Sequence, residues 1–410
     1  MSVLSLSRLV SCIYFLAAMT LVAPAETFTT LISFNGTDGS RPPTSLAQGP
    51  DGNFYGTTSV GGTNCGTGIN CGTVFKITPA GELTTLYNFC GQTNCSDGRE
   101  PGAPLILATD GNFYGTTTFG GVDGNYGTIF KITPSGTLTT IYRFCQKTKC
   151  PDGSYLYSGL VQGSNGNFYG TTNGGGSSKC DCGTVFKITP TGDLTTLHKF
   201  HLADGAQPYA GLIQATDGDF YGTTVYGGEY KSGTIFRITA GGEFKTLYNF
   251  CSHTGCTDGS SPAGNLVQAV DGTFYGVTGG GGTSNFGTFF AMTPSGALTT
   301  LHSFGVADGF NPAWLMQGSD GNFYGVTEMG ADVNDGIVFK TTAQGEVTVF
   351  HSFSGNDGRY PHGIGQATNG SFYGTTDEGG DGNGTVFRIS RGLSHSWQQY
   401  LHLAKLMPRW

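Results

Sequence analysis

The fold class that the sequence predicts is an all-β, seven-bladed β-propeller built from four-stranded antiparallel blades. Three observations predict it: a unit that occurs seven times at a mean spacing of about 53 residues, turn signals at fixed points of each unit, and chain ends that complement each other. The repeated phrases are variants of DGNFYGTT, GTVFKIT and LTTLYNF. The phenylalanine of the first phrase falls at positions 54, 113, 168, 220, 274, 323 and 372.

Four short runs in each unit are predicted to be strands: LxQ, NFYGTT, GTVFKIT and LTTLYNF. They are rich in the Thr, Val, Ile, Phe and Tyr residues that suit a pleated surface. Asp-Gly or Asn-Gly separates the first two runs in every unit, from Asp51-Gly52 to Asn369-Gly370, and predicts a two-residue hairpin. Thr-Pro-x-Gly separates the last two runs in four units and predicts a second tight turn.

The two ends of the repeat region predict how the ring closes. Residues 27–34 have the pattern of a lone fourth strand, while the last unit stops after its third strand, GTVFRIS at 384–390. We therefore expect the N-terminal strand to pair with the last blade, which gives a propeller domain over residues 26–390. A stacked solenoid is the competing architecture, but it would need polar caps at both ends.

Residues 1–25 are typical of a signal peptide, because Arg8 precedes an apolar run and Ala23-Pro24-Ala25 forms a small-residue cleavage site. A membrane anchor is the alternative, but its apolar run would be too short. We expect a secreted, extracellular or periplasmic protein without a transmembrane segment after cleavage. Residues 391–410 are expected to form a short helix or a disordered tail.

The mature chain is mildly acidic, since loss of Arg8 leaves 19 Lys+Arg against 28 Asp+Glu. It carries no basic stripe, which argues against a nucleic acid or an anionic membrane surface as partner. We expect a monomer whose partner is an extracellular polysaccharide or a protein.

Ten cysteines remain once Cys12 leaves with the signal peptide, and they lie in close pairs. An even number in an exported chain predicts disulfides. Metal binding is the alternative, but paired C-x2-C motifs and histidines at ligand spacing are missing from the sequence. Cys180 and Cys182 are close enough to strain a direct bridge, so they could pair elsewhere. The neighbouring pairs are Cys65 and Cys71, Cys90 and Cys95, Cys145 and Cys150, Cys180 and Cys182, and Cys251 and Cys256.

Two recurring polar positions have structural interpretations. The Asp of each DGxxP joint, such as Asp97, is expected to cap its own turn rather than capture a cation. The Gln that ends six of the seven first strands, such as Gln48, is expected to form hydrogen bonds between blades rather than bind a polar ligand.

The repeated phrases DGNFYGTTxxGG and GTVFKITPxGxLTTLYxF, over residues 27–390, resemble the GloVer tandem-repeat family of exported bacterial proteins, also called choice-of-anchor proteins. The resemblance implies an exported protein with no assigned biochemical activity and with a C-terminal anchor that differs among members. Residues 391–410 depart from that expectation because they contain no long apolar segment.

Candidate functional residues come from the places where the repeat changes. Loop-length variation and all ten cysteines fall in the joints expected on one face of the propeller, which is the candidate binding face. In blade six, Trp314 replaces the usual small residue before the first strand, and acids cluster in the adjacent loops. An aromatic beside acids suits a sugar or a Ca²⁺-assisted site, whereas a solvated acidic rim is the alternative. The candidate ligand-binding residues are Trp314, Glu328, Asp332, Asp335, Arg359, Tyr360, His362, Asp377, Glu378 and Asp381.

The sequence favours a non-catalytic protein that binds a polysaccharide or a protein through its loops. It contains no GxSxG, HExxH or phosphate-binding loop motif, so no catalytic residue is predicted. No cofactor is expected, with Ca²⁺ the one ion that the acidic loops would suit. The alternatives are an extracellular carbohydrate-active hydrolase or lyase with acids at the channel mouth, and a structural scaffold at the cell surface.

Overall fold

The computed structural model describes residues 26–66, 70–121, 125–176, 179–330 and 334–390. It contains seven four-stranded antiparallel sheets, each of which is one propeller blade. Residues 29–388 form one compact unit that carries the bulk of all seven sheets. A small second unit contains the described residues 26–28 and 389–390, where the Ser390 hydroxyl donates to the Thr27 carbonyl oxygen at 3.4 Å.

The first four blades follow one another along the chain with strand order first to fourth. Blade 1 contains β2 (Ala47–Gln48), β3 (Phe54–Thr58), β4 (Thr73–Ile77) and β5 (Leu83–Asn88). Blade 2 contains β6 (Ile106–Leu107), β7 (Phe113–Thr117), β8 (Thr128–Ile132) and β9 (Leu138–Arg143). Blade 3 contains β10 (Val161–Gln162), β11 (Phe168–Thr172), β12 (Thr184–Ile188) and β13 (Leu194–Lys199). Blade 4 contains β14 (Ile213–Gln214), β15 (Phe220–Thr224), β16 (Thr234–Ile238) and β17 (Phe244–Asn249).

The last three blades include the closure. Blade 5 contains β18 (Val267–Gln268), β19 (Phe274–Thr278), β20 (Thr288–Met292) and β21 (Leu298–Ser303). Blade 6 contains β22 (Phe310–Gln317), β23 (Phe323–Met329), β24 (Ile337–Thr341) and β25 (Val347–Ser352). Blade 7 contains β26 (Arg359–Gln366), β27 (Phe372–Glu378), β28 (Thr385–Ser390) and the N-terminal β1 (Thr27–Ser33). Single 3₁₀ turns lie at Thr93–Cys95, Thr254–Cys256 and Val306–Asp308.

The second strand of each blade is buried along its FYGTT core because it lies inside the sheet and between neighbouring blades. Its central glycine is required by packing: a Cβ on Gly56 would lie 2.6 Å from the ring of Phe75 on the next strand. That separation is far below a normal carbon–carbon contact. The FYGTT phrase thus combines two aromatic residues with one position that must be glycine, because there is no space for a side chain.

Aromatic rings join each blade to the next. Tyr55 of blade 1 stacks on Phe113 of blade 2 with ring centroids 4.0 Å apart, and the same pairing recurs between all successive blades. Tyr373 of blade 7 stacks on Phe54 of blade 1 at 4.0 Å, so the series returns to its start. The ring is therefore closed, as the sequence predicts, and a linear solenoid is wrong.

The N-terminal strand completes blade 7, where it lies beside β28 at the outer edge of the sheet. The backbone N–H of Phe34 donates to the carbonyl oxygen of Gly384 at 3.0 Å. The buried ring of Phe34 contacts Phe75 edge-on, with centroids 5.2 Å apart. This strand therefore joins the first blade to the last, which confirms the predicted closure.

The glutamine that ends the first strand braces neighbouring blades, as the sequence predicts. The side-chain oxygen of Gln162 accepts from the backbone N–H of Thr109 in the preceding blade at 2.9 Å, and Gln48 does the same with Thr368 across the closure at 2.9 Å. Equivalent bonds join three further blade pairs.

Blade 2 lacks this glutamine and carries Leu107 in its place. The residue that would donate to it, two positions after Gln48 in blade 1, is Pro50, which has no N–H. The loss of the donor and the loss of the acceptor therefore occur together at one blade interface.

All ten cysteines that follow residue 25 form disulfides, and every bridge joins the two members of a predicted neighbouring pair. Cys180 bonds to Cys182 rather than elsewhere, which corrects the expectation that their spacing could prevent a direct bridge. Disulfides of this number fit a protein that matures in an oxidising compartment. The other four bridges join Cys65 to Cys71, Cys90 to Cys95, Cys145 to Cys150, and Cys251 to Cys256.

The second cysteine of each C-x4-C bridge also connects two loops through its backbone. The carbonyl oxygen of Cys150 accepts from the N–H of Gly153 at 3.0 Å and from the N–H of Gly176, in the loop between β11 and β12, at 2.8 Å. The carbonyls of Cys95 and Cys256 accept equivalent pairs of bonds in blades 2 and 5. These cysteines therefore stabilise the loops of one propeller face.

We expect Phe34→Ala to destabilise the whole propeller by about 3–5 kcal/mol, because it removes a buried ring from the closing strand. The matched control is Phe304→Ala, which removes an equally buried ring with the same 5.2 Å contact inside the continuous chain. Chemical denaturation would measure both. A loss below about 1 kcal/mol for Phe34→Ala alone would mean that the closing strand adds little to stability.

We also expect that two substitutions can restore the missing hydrogen bond between blades 1 and 2. Leu107→Gln alone should gain nothing, because Pro50 cannot donate, whereas combining it with Pro50→Thr should show a favourable coupling of about 1 kcal/mol. A double-mutant cycle on unfolding free energies measures this coupling. Additive effects within about 0.3 kcal/mol would contradict the bracing role of the glutamine.

Candidate functional site

A cavity of about 700 Å³ opens at the propeller axis on the loop face, the side where the second-to-third strand loops and the blade-to-blade linkers emerge. Every blade contributes to its wall. Representative lining residues, in blade order, are Thr44, Glu100, Tyr157, Tyr209, Ala263, Trp314 and Asp377. A cavity of this size suits a small molecule or the end of a polymer.

One backbone feature holds the wall in the same place in every blade. The residue ahead of the linker proline, or of Leu156 in blade 3, adopts a left-handed φ between 52° and 58°. In blade 2 this residue is Glu100, whose N–H donates to Cys71 O of the preceding blade at 2.8 Å and whose carbonyl accepts from Thr118 N at 3.0 Å. The seven residues in this conformation are Arg41, Glu100, Tyr155, Gln207, Ser261, Asn311 and Tyr360.

Two repeat positions next to this feature vary in chemistry from blade to blade. We call them the linker position, one residue after the proline or its equivalent, and the loop position, directly after FYGTT. The linker position holds Pro43, Gly102, Tyr157, Tyr209, Ala263, Ala313 and His362. The loop position holds Ser59, Thr118, Asn173, Val225, Gly279, Glu328 and Asp377. Every linker-position residue lines the cavity.

Acids occupy the loop position only in blades 6 and 7, and both line the cavity. Glu328 accepts a hydrogen bond from the side-chain amide of Asn311. His362 Nε2 lies 3.8 Å from Asp377 Oδ1. Burial raises the pKa of Asp377, and the neighbouring His362 and Arg41 offset this only in part. This side of the cavity therefore offers carboxylate acceptors and an imidazole.

Aromatic rings form the other side. Tyr157 and Tyr209 stack in parallel with centroids 4.8 Å apart and an interplanar angle of 8°. Sequence reasoning missed both, although each breaks the small-residue trend of the linker position. Trp314 also lines the cavity, and its indole N–H donates to the carbonyl oxygen of Ile364 in blade 7 at 3.0 Å.

Trp314 lies within a strand, which corrects the prediction that it precedes one. The linker of blades 6 and 7 is one residue shorter than that of blades 1–5, so a single extra residue, Ala313, bulges between Pro312 and Trp314. Pairing therefore continues through the bulge and gives an eight-residue first strand, whereas blades 1–5 have two-residue first strands. The short linker brings the indole to the cavity wall.

Glu100 is a third carboxylate of the cavity that the sequence analysis did not select. Its side chain contacts the Arg99 guanidinium, which in turn lies 4.8 Å from the centre of the Phe119 ring. Burial raises the pKa of Glu100, while the adjacent Arg99 opposes that shift. No recurring pattern could have marked Glu100, because its position holds six different residue types in the seven blades and an acid only here.

Five of the predicted site residues lie outside the cavity wall, and four of them, Asp335, Arg359, Tyr360 and Glu378, belong to one network. Asp335 and Glu378 are engaged by arginine: Arg359 Nε lies 2.6 Å from Asp335 Oδ1, and Arg41 Nη2 lies 3.1 Å from Glu378 Oε1. Arg359 also sits over the ring of Tyr360 at 5.2 Å. These residues form a charge-balanced network between blades 6, 7 and 1.

Two predicted site residues remain, Asp381 and Asp332. Asp381 is exposed and is not part of the cavity wall, while Asp332 lies outside the described residues. Across the described ranges, no group of three or more His, Cys, Asp or Glu side chains is placed to hold a metal ion.

The Asp residues of the DGxxP joints cap their own turns, in line with the structural interpretation. Asp97 accepts from the Tyr87 hydroxyl at 2.8 Å and from the Gly91 N–H at 3.0 Å. Asp258 makes the equivalent bonds with Tyr248 and Ser252. These carboxylates hold loops in place.

Fold and site together define a seven-bladed propeller with an axial cavity on its loop face. One side of the cavity wall is aromatic, and the other carries carboxylates and an imidazole. The sequence matches the Gloeobacter/Verrucomicrobia repeat family over residues 17–180 and 178–387. The chain belongs to this family. A comparison with curated proteins found no match.

Solved structures with a similar fold include two named as lyases. Streptogramin B lyase superposes with a TM-score of 0.60 and 15% identity, covering 89% of this chain and 97% of that one. Virginiamycin B lyase from Staphylococcus aureus gives 0.59 and 15%, covering 89% and 99%. The extracellular domain of a hybrid two component system from B. thetaiotaomicron gives 0.57 and 11%, covering 88% of this chain and 40% of that one. Identities this low establish the fold alone.

None of the helical segments in the described part of the chain has the length and apolar character needed to cross a bilayer.

We expect Asp377→Asn to raise thermal stability at pH 7. Because the folded protein holds the pKa of Asp377 above its unfolded value, the carboxyl favours the folded state when protonated, and that contribution is lost as pH rises from about 4 through the raised pKa. Melting temperatures of both proteins should converge near pH 3.5.

Asp110→Asn is the control, for which we expect the opposite change, a loss of thermal stability at pH 7. Burial tends to raise the pKa of Asp110, but hydrogen bonds led by that from Lys131 lower it to about 2. That carboxylate therefore stabilises the fold above about pH 4, and its contribution is lost as pH falls towards 2. An Asp377→Asn protein that melts lower than wild type at pH 7 would contradict the buried-acid assignment.

Proposed function

We propose that this protein is exported and binds a carbohydrate at the axial cavity of its loop face. The observation that carries the proposal is the contrast within the cavity wall: tyrosines face it from blades 3 and 4, whereas Glu328, His362 and Asp377 face it from blades 6 and 7. All of these occupy the linker and loop positions, which in blades 1, 2 and 5 hold only Pro, Gly, Ala, Ser or Thr.

The lining chemistry favours a sugar. Aromatic rings present flat apolar faces to the C–H faces of a pyranose, and carboxylates accept hydrogen bonds from its hydroxyls. The acidic balance of the chain, with 28 Asp+Glu against 20 Lys+Arg, disfavours polyanionic glycans such as polyuronates. A neutral or amine-bearing glycan therefore fits best, and a protein partner is the less favoured ligand class.

Export is supported by the signal-peptide pattern of residues 1–25 and by five disulfides, which persist in oxidising compartments. Residues 1–25 and 391–410 lie outside the described residues. The proposal takes the protein to be a monomer, and the choice-of-anchor resemblance stays an expectation from the sequence.

A carbohydrate-active hydrolase or lyase is the second candidate. It is favoured by two cavity carboxyls, Asp377 and Glu100, whose pKa values burial raises, because a raised pKa increases the fraction of protonated carboxyl that can act as a general acid. A structural scaffold, the third candidate, would leave the polarised wall without a role.

The test is a glycan array followed by calorimetric titration of the mature protein, with and without Ca²⁺. We expect Glu328→Gln and Asp377→Asn each to weaken sugar binding about tenfold or more, since each removes a charged acceptor. Asp381→Asn is the matched control, because this exposed acid lies outside the cavity wall, and it should bind normally.

Release of shortened sugars from a bound glycan, abolished in Asp377→Asn, would favour the enzyme over the binding protein. If no glycan binds, or if both cavity variants bind as tightly as wild type, the proposed carbohydrate site is wrong.

A further inference from the structure

The aromatic side of the cavity continues outward over blade 4. Tyr209 lies at the cavity wall and is 46% exposed, while Tyr226 and Tyr230, in the loop between β15 and β16, are 50% and 44% exposed. The backbone of Tyr226 pairs with that of Ala206, three residues before Tyr209, so the loop that carries Tyr226 lies beside the linker that carries Tyr209. With Tyr157 stacked on Tyr209, two tyrosines lie at the cavity wall and two more, Tyr226 and Tyr230, are exposed in the adjacent loop of blade 4.

The loop that carries the outer tyrosines is held rigidly. Tyr226 exchanges two backbone hydrogen bonds with Ala206, at 2.7 and 3.1 Å. Gly228 N–H donates to Leu202 O at 2.8 Å, and Glu229 N–H donates to the Asn249 side chain at 3.0 Å. A loop fixed in this way loses little further conformational entropy when a ligand covers its aromatic rings.

The exposed rings are specific to this part of the ring of blades. Tyr226 occupies the second residue after FYGTT, where other blades have Val60, Phe119, Gly174, Gly280, Met329 and Glu378. Groups of exposed large apolar side chains on one face of a protein mark interaction sites. Because every blade builds the same frame, Tyr209, Tyr226 and Tyr230 are not needed to form the fold.

We propose that these tyrosines, which we call the tyrosine path (Tyr157, Tyr209, Tyr226 and Tyr230), bind successive rings of a glycan chain whose end occupies the axial cavity. This inference rests on the proposed function and specifies its ligand as a polymer rather than a small sugar. The cavity wall around Glu328 and Asp377 then holds the terminal unit, while the rest of the chain leaves over blade 4.

The nature of the path restricts its occupant. Phenol rings offer an apolar face with a hydroxyl at the tip, which matches the alternating C–H and hydroxyl surfaces of a pyranose chain. The ligand should be neutral or amine-bearing, because the carboxylates at the cavity end would repel a polyanion. Oligomers of glucose and of N-acetylglucosamine are the appropriate probes.

The experiment measures affinity against chain length by calorimetry of the full mature protein, using cellobiose, cellohexaose, chitobiose and chitohexaose. For at least one of the two sugars, we expect the hexamer to bind about tenfold or more tightly than the dimer. Tyr226→Ala and Tyr230→Ala should each weaken hexamer binding several-fold and leave dimer binding unchanged. Tyr226→Phe, which keeps the ring, should bind the hexamer nearly as tightly as wild type.

Val270→Ala is the control for loss of an exposed apolar side chain, because Val270 lies on the opposite, hairpin face; it should change neither affinity. The tyrosine path would be overturned if dimer and hexamer bound equally tightly and the tyrosine variants had no effect. If Glu328→Gln still weakened the binding of both sugars in that case, the cavity site itself would stand. Absence of binding by all four probes would overturn both the path, as specified for these sugars, and its link to the cavity.

Discussion

The stack between a tyrosine of one FYGTT strand and a phenylalanine of the next is the contact that joins seven separate sheets into one propeller. A single four-stranded blade has two faces to cover and cannot bury a core alone. Tyr55 on Phe113 and Tyr373 on Phe54 are the same contact at the start and at the closure of the ring, each with centroids 4.0 Å apart. Because closure makes every interface internal, a local loss is felt by the whole ring rather than by one terminal blade.

The repeated interface also explains how the cavity wall can vary. A non-glycine residue in the left-handed region costs on the order of 1 kcal/mol, yet it recurs in all seven blades. In each blade its N–H is held by a carbonyl of the preceding blade, as between Tyr360 and Asp335, at 3.0 Å. The strain is thus part of the repeated backbone frame, and what varies is the set of side chains that this frame presents to the cavity.

The sequence predicted the fold almost completely because each element recurs seven times, so that one ambiguous strand is resolved by six copies. The spacing of the cysteines also predicted the disulfide pairs, except that it left open whether Cys180 and Cys182 bond to each other. The site was predicted in part: Trp314, Glu328, His362 and Asp377 line the cavity. Asp335 and Glu378 do not line the cavity, because each pairs with an arginine instead. Those arginines come from other loops, and only the folded chain brings each acid and its partner together. Tyr157 and Tyr209 escaped prediction because tyrosine is common throughout the repeat, so a tyrosine at a new position looks ordinary until the seven linkers are aligned on their backbone conformation.

Within a repeat protein, departures from the consensus fall into two physical kinds. Leu107 departs from the glutamine pattern, but the partner position is Pro50, so the interface is left without an unpaired N–H. Asp377 departs from a position that holds Ser, Thr, Asn, Val or Gly in the first five blades, and its burial is compensated only in part. A departure matched by its neighbour maintains the fold, whereas one that leaves a cost in the folded protein points to a ligand. By that criterion we propose that recognition is concentrated on the side of the cavity formed by blades 6 and 7.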